Sequence, residues 1–163
     1  MGEVYLSLGS NQGNRQANLQ AALKKLEVLL GKPVKVSGIY RTAAWGKTDQ
    51  PGFLNQVLSF HMEPGQETWL LQRILETEMA LGRVRKEKWE ARAIDIDILL
   101  AGEKVINTET LTVPHPWLHL RRFVLVPLNE IAPDLLHPVL DKTIRELLEI
   151  CPDRLEAEKI ADS

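Results

Sequence analysis

Apolar and polar positions alternate from Glu3 to Leu8, with Val4, Leu6 and Leu8 set against Tyr5 and Ser7. Period-two alternation of this kind predicts a strand, ended by Gly9-Ser10-Asn11. From Asn18 to Leu30 the apolar residues move to helical spacing (Leu19, Ala22, Leu23, Leu26, Leu29, Leu30), and Gly31 stops the run. Val34 to Arg41 predicts a second strand and Phe53 to Met62 a third, separated by a Gly-, Asp-, Gln- and Pro-containing loop over 46–52. Gln66 to Leu81 predicts a second amphipathic helix, with Trp69, Leu70, Ile74, Leu75 and Leu81 on its apolar side and Gly82 as its stop. A fourth strand, Ala93 to Leu100, leads through Ala101-Gly102-Glu103 into a short fifth, Lys104 to Asn107. Helical pattern returns between Leu118 and Glu149.

The order β-α-β-β-α-β is that of the split-βαβ, ferredoxin-like unit. The expected fold is therefore α+β, with an antiparallel central sheet and two helices on one face. In this reading the first and fourth strands are central, and the segment from Leu118 onward covers part of the second face. The chain is expected to form a single domain over 1–163, with a charged, patternless tail from about 153.

The fourth strand carries the strongest chemical signal. Ile94, Ile96 and Ile98 alternate with Asp95 and Asp97, so the isoleucines face the two helices and both carboxylates leave the opposite face. Two residues of strand separate the carboxylates by roughly 6.6 Å. At an effective dielectric of about 20, two full charges at that distance repel by roughly 2.5 kcal/mol. Cations between them would offset that repulsion. Magnesium takes oxygen ligands, and paired metals serve phosphoryl chemistry. The competing reading is a half-exposed strand whose polar face happens to carry two aspartates.

Composition narrows the setting. The 163 residues are 44% hydrophobic and 26% charged, which suits one domain with a sizeable core. A net charge of −2 offers no global attraction to nucleic acid or anionic membrane, so an anion site has to be local. The lone Cys151 excludes an internal disulfide framework and, followed by Pro152, reads as a small buried residue. No apolar run approaches a membrane span, and the Met1-Gly2-Glu3 start leads straight into a strand, so a cytoplasmic protein without a leader is expected.

The sequence offers a candidate for such a local site. Arg83, Arg85, Lys86, Lys88 and Arg92 lie within ten residues, interrupted by Glu87, Trp89 and Glu90. Cations after a helix compensate its C-terminal dipole, which accounts for Arg83 and Arg85 but not for Trp89. Arginines beside metal-binding carboxylates suit a polyphosphate, and so weakly anchored a loop suits a closing lid. Downstream, Pro114 and Pro116 restrict His115, which fits a structural role as well as a functional one. Arg121 is a candidate phosphate ligand. Thr42, Trp45, Phe53 and Asn55 offer aromatic faces and an amide for a flat ring, although Trp45 and Phe53 also fit a core.

Several blocks together carry a resemblance: Leu8-Gly9-Ser10-Asn11, Tyr40-Arg41-Thr42, Asp49-Gln50-Pro51-Gly52-Phe53-Leu54-Asn55, Gly82-Arg83-Val84-Arg85, Trp89 to Asp97, Leu111-Thr112-Val113-Pro114-His115, Arg121 to Leu128, and Ile131-Ala132-Pro133. In this order they resemble the 6-hydroxymethyl-7,8-dihydropterin pyrophosphokinases over most of residues 3 to 150. The R-x-x-D-x-D-I and L-T-x-P-H blocks are the specific ones. The resemblance implies a three-layer αβα sandwich, working as a monomer, that transfers pyrophosphate from ATP to the pterin hydroxymethyl group and releases AMP.

The resemblance also implies roles. Asp95 and Asp97 would hold two magnesium ions (Mg2+), and Arg83 and Arg92 would be catalytic lid arginines. Glu78, Arg85, Trp89, Ile98, Thr112, His115 and Arg121 would contact the nucleotide. The pterin would lie between Phe53 and Phe123, with Asn55 bonding its edge and Thr42, Ala43 and Trp45 nearby.

The chain departs from the family's usual pattern at four places. Phe53 stands for a common tyrosine and Ala43-Ala44 for a proline-rich turn. Pro116 follows His115 where an aromatic hydroxyl is common, and Leu75 replaces a glutamine. Two other classes share the topology: two-metal nucleotidyl transferases or cyclases, which attack the α-phosphorus, and RNA-binding sheets. The latter call for exposed aromatic and basic residues on the sheet, and acidic residues at its centre disfavour them.

Overall fold

The structure, a computed structural model, describes residues 2–42, 52–82 and 93–162. Strand β1 (Gly2–Ser10) pairs antiparallel along its whole length with a later strand, Phe53–Met62, from Gly2 opposite Met62 to Ser10 opposite Leu54. Between them lie helix α1 (Arg15–Leu30) and two short strands, β2 (Lys35–Val36) and β3 (Ile39–Thr42), which makes Phe53–Met62 β4. Helix α2 (Glu67–Ala80) leads to β5 (Asp95–Ala101), then to a hairpin of β6 (Ile106–Asn107) and β7 (Thr112–Val113). A single 3-10 turn at Leu118–Leu120, helices α3 (Arg122–Ile131) and α4 (Ile144–Ile150), and strand β8 (Ala157–Ala161) complete the described chain.

Local signals set the helix ends. Asn14 caps α1 by accepting from the Ala17 amide at 3.1 Å, and Gly31 closes it with φ of 82°. Gly82 follows α2 with φ of 100°, as its position in the sequence predicts. On α2 the buried side is Leu70, Ile74, Thr77 and Glu78, whereas Trp69 and Leu75 remain partly exposed.

The sheet runs β5-β1-β4-β3-β8, with β2 also on β4. This corrects the expected arrangement: β1 and β4 hold the centre, and the aspartate-bearing β5 is an end strand. The reason lies in the connections. β4 occupies one edge of β1, and β5, antiparallel to β1, runs parallel to β4. A parallel relation needs a crossover, here α2, which carries the chain past β1 to its free side.

The predicted strand over 34–41 is broken at Ser37. Its hydroxyl accepts from the Val57 amide at 2.9 Å, so a side chain interrupts the ladder and separates β2 from β3. The supposed patternless tail is also ordered, since β8 pairs with β3 along residues 157–161. Its exposed, charged residues suit an end strand, where no alternation is required. Gly38 makes room for it: a Cβ there would lie 2.9 Å from the Ala161 carbonyl oxygen and closer still to Lys159.

Two cores flank the sheet. Ile94, Ile96 and Ile98 pack with Leu19, Leu26, Leu70 and Ile74 beneath α1 and α2. Tyr5, Val57 and Leu99 pack with Val124, Leu128, Ile144 and the buried Cys151 beneath α3 and α4. The result is the expected α+β sandwich of three layers, with both aspartates on the α3 side of the sheet.

Candidate active site

Strand register assembles the floor of a cavity. Asp95 lies opposite Gly9 and Asp97 opposite Ser7, while Gly9 faces Asn55 on its other side. Because alternate residues share a face, these side chains all leave the sheet towards α3. A Cβ at Gly9 would stand 3.1 Å from the Asn55 Oδ1, so the glycine keeps the floor open beside the amide. The cavity above it has a volume of about 360 Å³. Phe53 and Thr42 wall it from the sheet, Arg121, Phe123 and Val124 from the start of α3, and Leu155 from the C-terminal segment.

Strand starts are pinned next to this cavity. The Ser10 hydroxyl and the Asn18 amide both donate to the Ala93 carbonyl, at 2.6 and 3.2 Å, two residues before Asp95. Arg15 donates to the Gly52 carbonyl at 2.6 Å, immediately before Phe53. Neighbouring loops therefore do not have to hold the floor in place.

Two polar atoms on the cavity lining lack partners. Thr42 Oγ1 and Asn55 Nδ2 are buried without a hydrogen bond. A buried orphan of this kind costs about 1–3 kcal/mol, and a ligand with matching groups would recover it. With Phe53 and Phe123 lining the same cavity, such groups suit a flat, hydrogen-bonding heterocycle.

The side that carries Arg121 and His115 is built differently. Arg121 lies over the rings of Trp117 and Phe123, at 5.0 and 5.7 Å to their centroids, so its guanidinium is held by cation–π contacts. The His115 amide donates to the Leu99 carbonyl at 2.9 Å, laying that segment along the outer edge of β5. Its ring Nδ1 accepts from the Trp117 amide at 3.2 Å, which leaves Nε2 to carry the proton. Burial holds the His115 pKa below the usual imidazole value; Asp97 opposes that shift and Arg121 adds to it. The imidazole is therefore a neutral donor within electrostatic reach of both.

The remaining candidates separate. Glu78 is buried, and its Oε2 accepts from the Ile96 amide at 3.0 Å on the outer edge of β5. Ile98 puts its side chain into the core, so any ligand contact there has to come from its backbone, which strand alternation turns to the same edge. Thr112 is exposed on β7 and borders, with His115, a second cleft of about 300 Å³. Arg83, Arg85, Trp89, Arg92, Ala43 and Trp45 lie outside the described residues. Ser7, Gly9, Val124 and Leu155 were not singled out in the sequence. Strand register would have found the first two, but no sequence signal marks Leu155.

Comparison with known proteins adds a family. A family model described as 7,8-dihydro-6-hydroxymethylpterin-pyrophosphokinase (HPPK) matches residues 5–133. The chain is 43% identical over 146 residues to the 2-amino-4-hydroxy-6-hydroxymethyldihydropteridine pyrophosphokinase of Aquifex aeolicus, covering 90% of each chain. It is 44% identical over 149 residues to the protein of the same name from Methylorubrum extorquens, covering 91% of this chain and 92% of that one. Among solved structures, it is similar to a Plasmodium falciparum HPPK-DHPS crystallised with pteroate, with a TM-score of 0.75 and 18% identity. That likeness covers 91% of this chain but only 44% of the Plasmodium chain, and it speaks to the fold alone.

Proposed function

Because the chain belongs to the 7,8-dihydro-6-hydroxymethylpterin-pyrophosphokinase family, we propose that its 360 Å³ cavity receives the pterin ring and that the Asp95–Asp97 face receives the triphosphate of ATP. The chain is an ATP-dependent diphosphotransferase of folate biosynthesis. The pterin hydroxymethyl oxygen attacks the β-phosphorus, the bond to the α-phosphate oxygen breaks, AMP leaves, and the hydroxyl proton is released. The observation that carries this reading is the juxtaposition of paired carboxylates with unpaired amide and hydroxyl groups beside aromatic rings on one sheet face.

Asn55 and Thr42 orient the ring through the polar atoms that otherwise lack partners, and Phe53 and Phe123 stack on its faces. Ala43 and Trp45, which follow Thr42 within three positions but lie outside the described residues, are assigned to the pterin as well. Fixing the hydroxyl in line with the phosphorus contributes through orientation rather than through a strong base. Arg121 and the Nε2 proton of His115 bind phosphate oxygens from one wall. Arg83, Arg85, Arg92 and Trp89, outside the described residues, are assigned to the same phosphates, where arginine charge would offset that of the transferred group. Thr112, Glu78 and the backbone of Ile98 hold the nucleoside along the outer edge of β5.

The donor set fits magnesium. Asp95 and Asp97 offer hard oxygen ligands, and no group of three His, Cys, Asp or Glu gathers among the described residues. Magnesium typically takes one or two carboxylates and completes its shell with water and phosphate oxygens. Two bound ions would neutralise charge on the transferred group. In this reading the enzyme is a monomer, and no described helix is long and apolar enough to cross a membrane. A cytoplasmic enzyme with no nucleic-acid partner completes this reading.

The deciding experiment measures AMP release from ATP with and without 6-hydroxymethyl-7,8-dihydropterin. AMP and a diphosphorylated pterin should form only with both substrates and magnesium. Release of inorganic pyrophosphate instead would indicate attack at the α-phosphorus and refute the assignment.

A further inference from the structure

The C-terminal segment lies beyond residues 5–133, where the family model matches, yet it reaches the cavity at Leu155. Leu155 lines the wall. Asp153 spans from that wall to α3: its Oδ2 accepts from the Arg122 amide at 3.1 Å, and its Oδ1 accepts from the Leu155 amide at 3.0 Å. No side chain of the residue before α3 caps that helix, so Asp153 supplies the missing acceptor from a distant part of the chain. One carboxylate thereby sets both Leu155 and the first turn of α3, which carries Phe123.

The segment is seated by design rather than draped. β8 pairs with β3, whose last residue is Thr42. Lys159 approaches Glu130 at 3.5 Å, and Glu130 in turn accepts from the Tyr40 hydroxyl and from the Gly38 amide. At Gly38 any side chain would collide with the β8 backbone at Ala161. Position 38 is thus matched to an occupied edge.

From this we infer that the C-terminal segment completes the pterin site, with Leu155 as a specificity-determining apolar wall and Asp153 as a positioning residue for it. The inference rests on the pocket assignment made under Proposed function. An apolar wall at this point favours the ring's hydrocarbon edge, and removing it admits water beside the hydrogen-bonded amide.

The test is equilibrium binding of 6-hydroxymethylpterin to the full chain in the presence of a methylene-bridged ATP analogue and magnesium. Binding of the analogue alone is followed in parallel. Leu155→Ala should raise the pterin Kd about tenfold, the scale of a lost apolar contact in a closed pocket. Affinity for the ATP analogue should be unchanged, and Leu155→Met should restore pterin binding. Wild-type pterin affinity in Leu155→Ala, equal loss for both ligands, or failure of Leu155→Met to restore binding overturns the inference. Should Leu155→Ala not fold, Gly38→Ala, which pushes on β8 without touching the cavity, carries the test. Weaker pterin binding there supports the inference, and unchanged binding overturns it. Absence of pterin binding by the wild type overturns the pocket assignment, and this inference with it, whereas binding equal in wild type and variant overturns the inference alone.

Discussion

Replacing Asn55 by leucine separates the cost of building this site from its use. The Asn55 Nδ2 is buried and unpartnered in the free protein, where 3% of the residue is exposed. Such an orphaned donor costs about 1–3 kcal/mol. Leucine has the same number of side-chain heavy atoms and no polar group, so Asn55→Leu should stabilise the free protein. For a chain of this size, about 1 kcal/mol moves Tm by about 2–4 °C, so a rise of a few degrees is expected in a thermal melt without ligand. Catalysis should move the other way. The amide can make two hydrogen bonds to the ring, each worth about 1–1.5 kcal/mol, so their loss predicts a fall in kcat/KM for the pterin of roughly 30–150-fold. AMP production under limiting pterin measures it. A lower Tm together with kcat/KM within threefold of wild type would show that Asn55 is an ordinary structural amide and refute the reasoning.

Other perturbations separate the remaining roles. Asp95→Ala and Asp97→Ala should each reduce magnesium-dependent turnover by about 10²–10³-fold or more. Circular dichroism should show the fold intact, and near-normal turnover would remove the metal assignment. Arg121→Lys keeps a charge but loses the planar group that lies over Trp117 and Phe123; kcat/KM for ATP should fall about tenfold, and an unchanged value counts against phosphate contact. Arg92→Ala should slow the chemical step, read by rapid quench, more than it weakens pterin binding; the reverse pattern would argue against a lid role. At His137, burial foremost and then the charge of His119 lower the pKa, and Nδ1 accepts from the Val139 and Leu140 amides at 3.2 and 3.1 Å. The unfolded chain therefore binds a proton more readily, and stability should fall as pH drops from about 6.5, by at most about 1.4 kcal/mol per pH unit from this group. Urea titrations at several pH values should show that slope flattened in His137→Asn, and an equal slope in both proteins would exclude the group.

The alternation over 94–98 already assigned the isoleucines to one core and the aspartates to the other face, because period-two geometry acts within a single strand. Glycine stops at 31 and 82 were legible for the same reason: each is a local backbone requirement. The position of β5 in the sheet was not legible. It depends on which edge of β1 remained free after β4 had paired, a competition between segments some forty residues apart. Ser37 could not be read as a break, since its hydroxyl displaces a ladder bond only once Val57 lies opposite.

The C-terminal segment marks the boundary most sharply. An end strand needs hydrogen bonds from its neighbour rather than a hydrophobic pattern of its own, so 157–161 looked like a charged tail until β3 was in place. Paired carboxylates, a cluster of arginines, aromatic rings and one amide could all be read from residue order alone. Which of them share a cavity depends on how the strands pair and the helices pack, and that packing brings in Gly9, Leu155 and Asp153. Their contributions arise from register and long-range packing, and neither leaves a periodic trace along the chain.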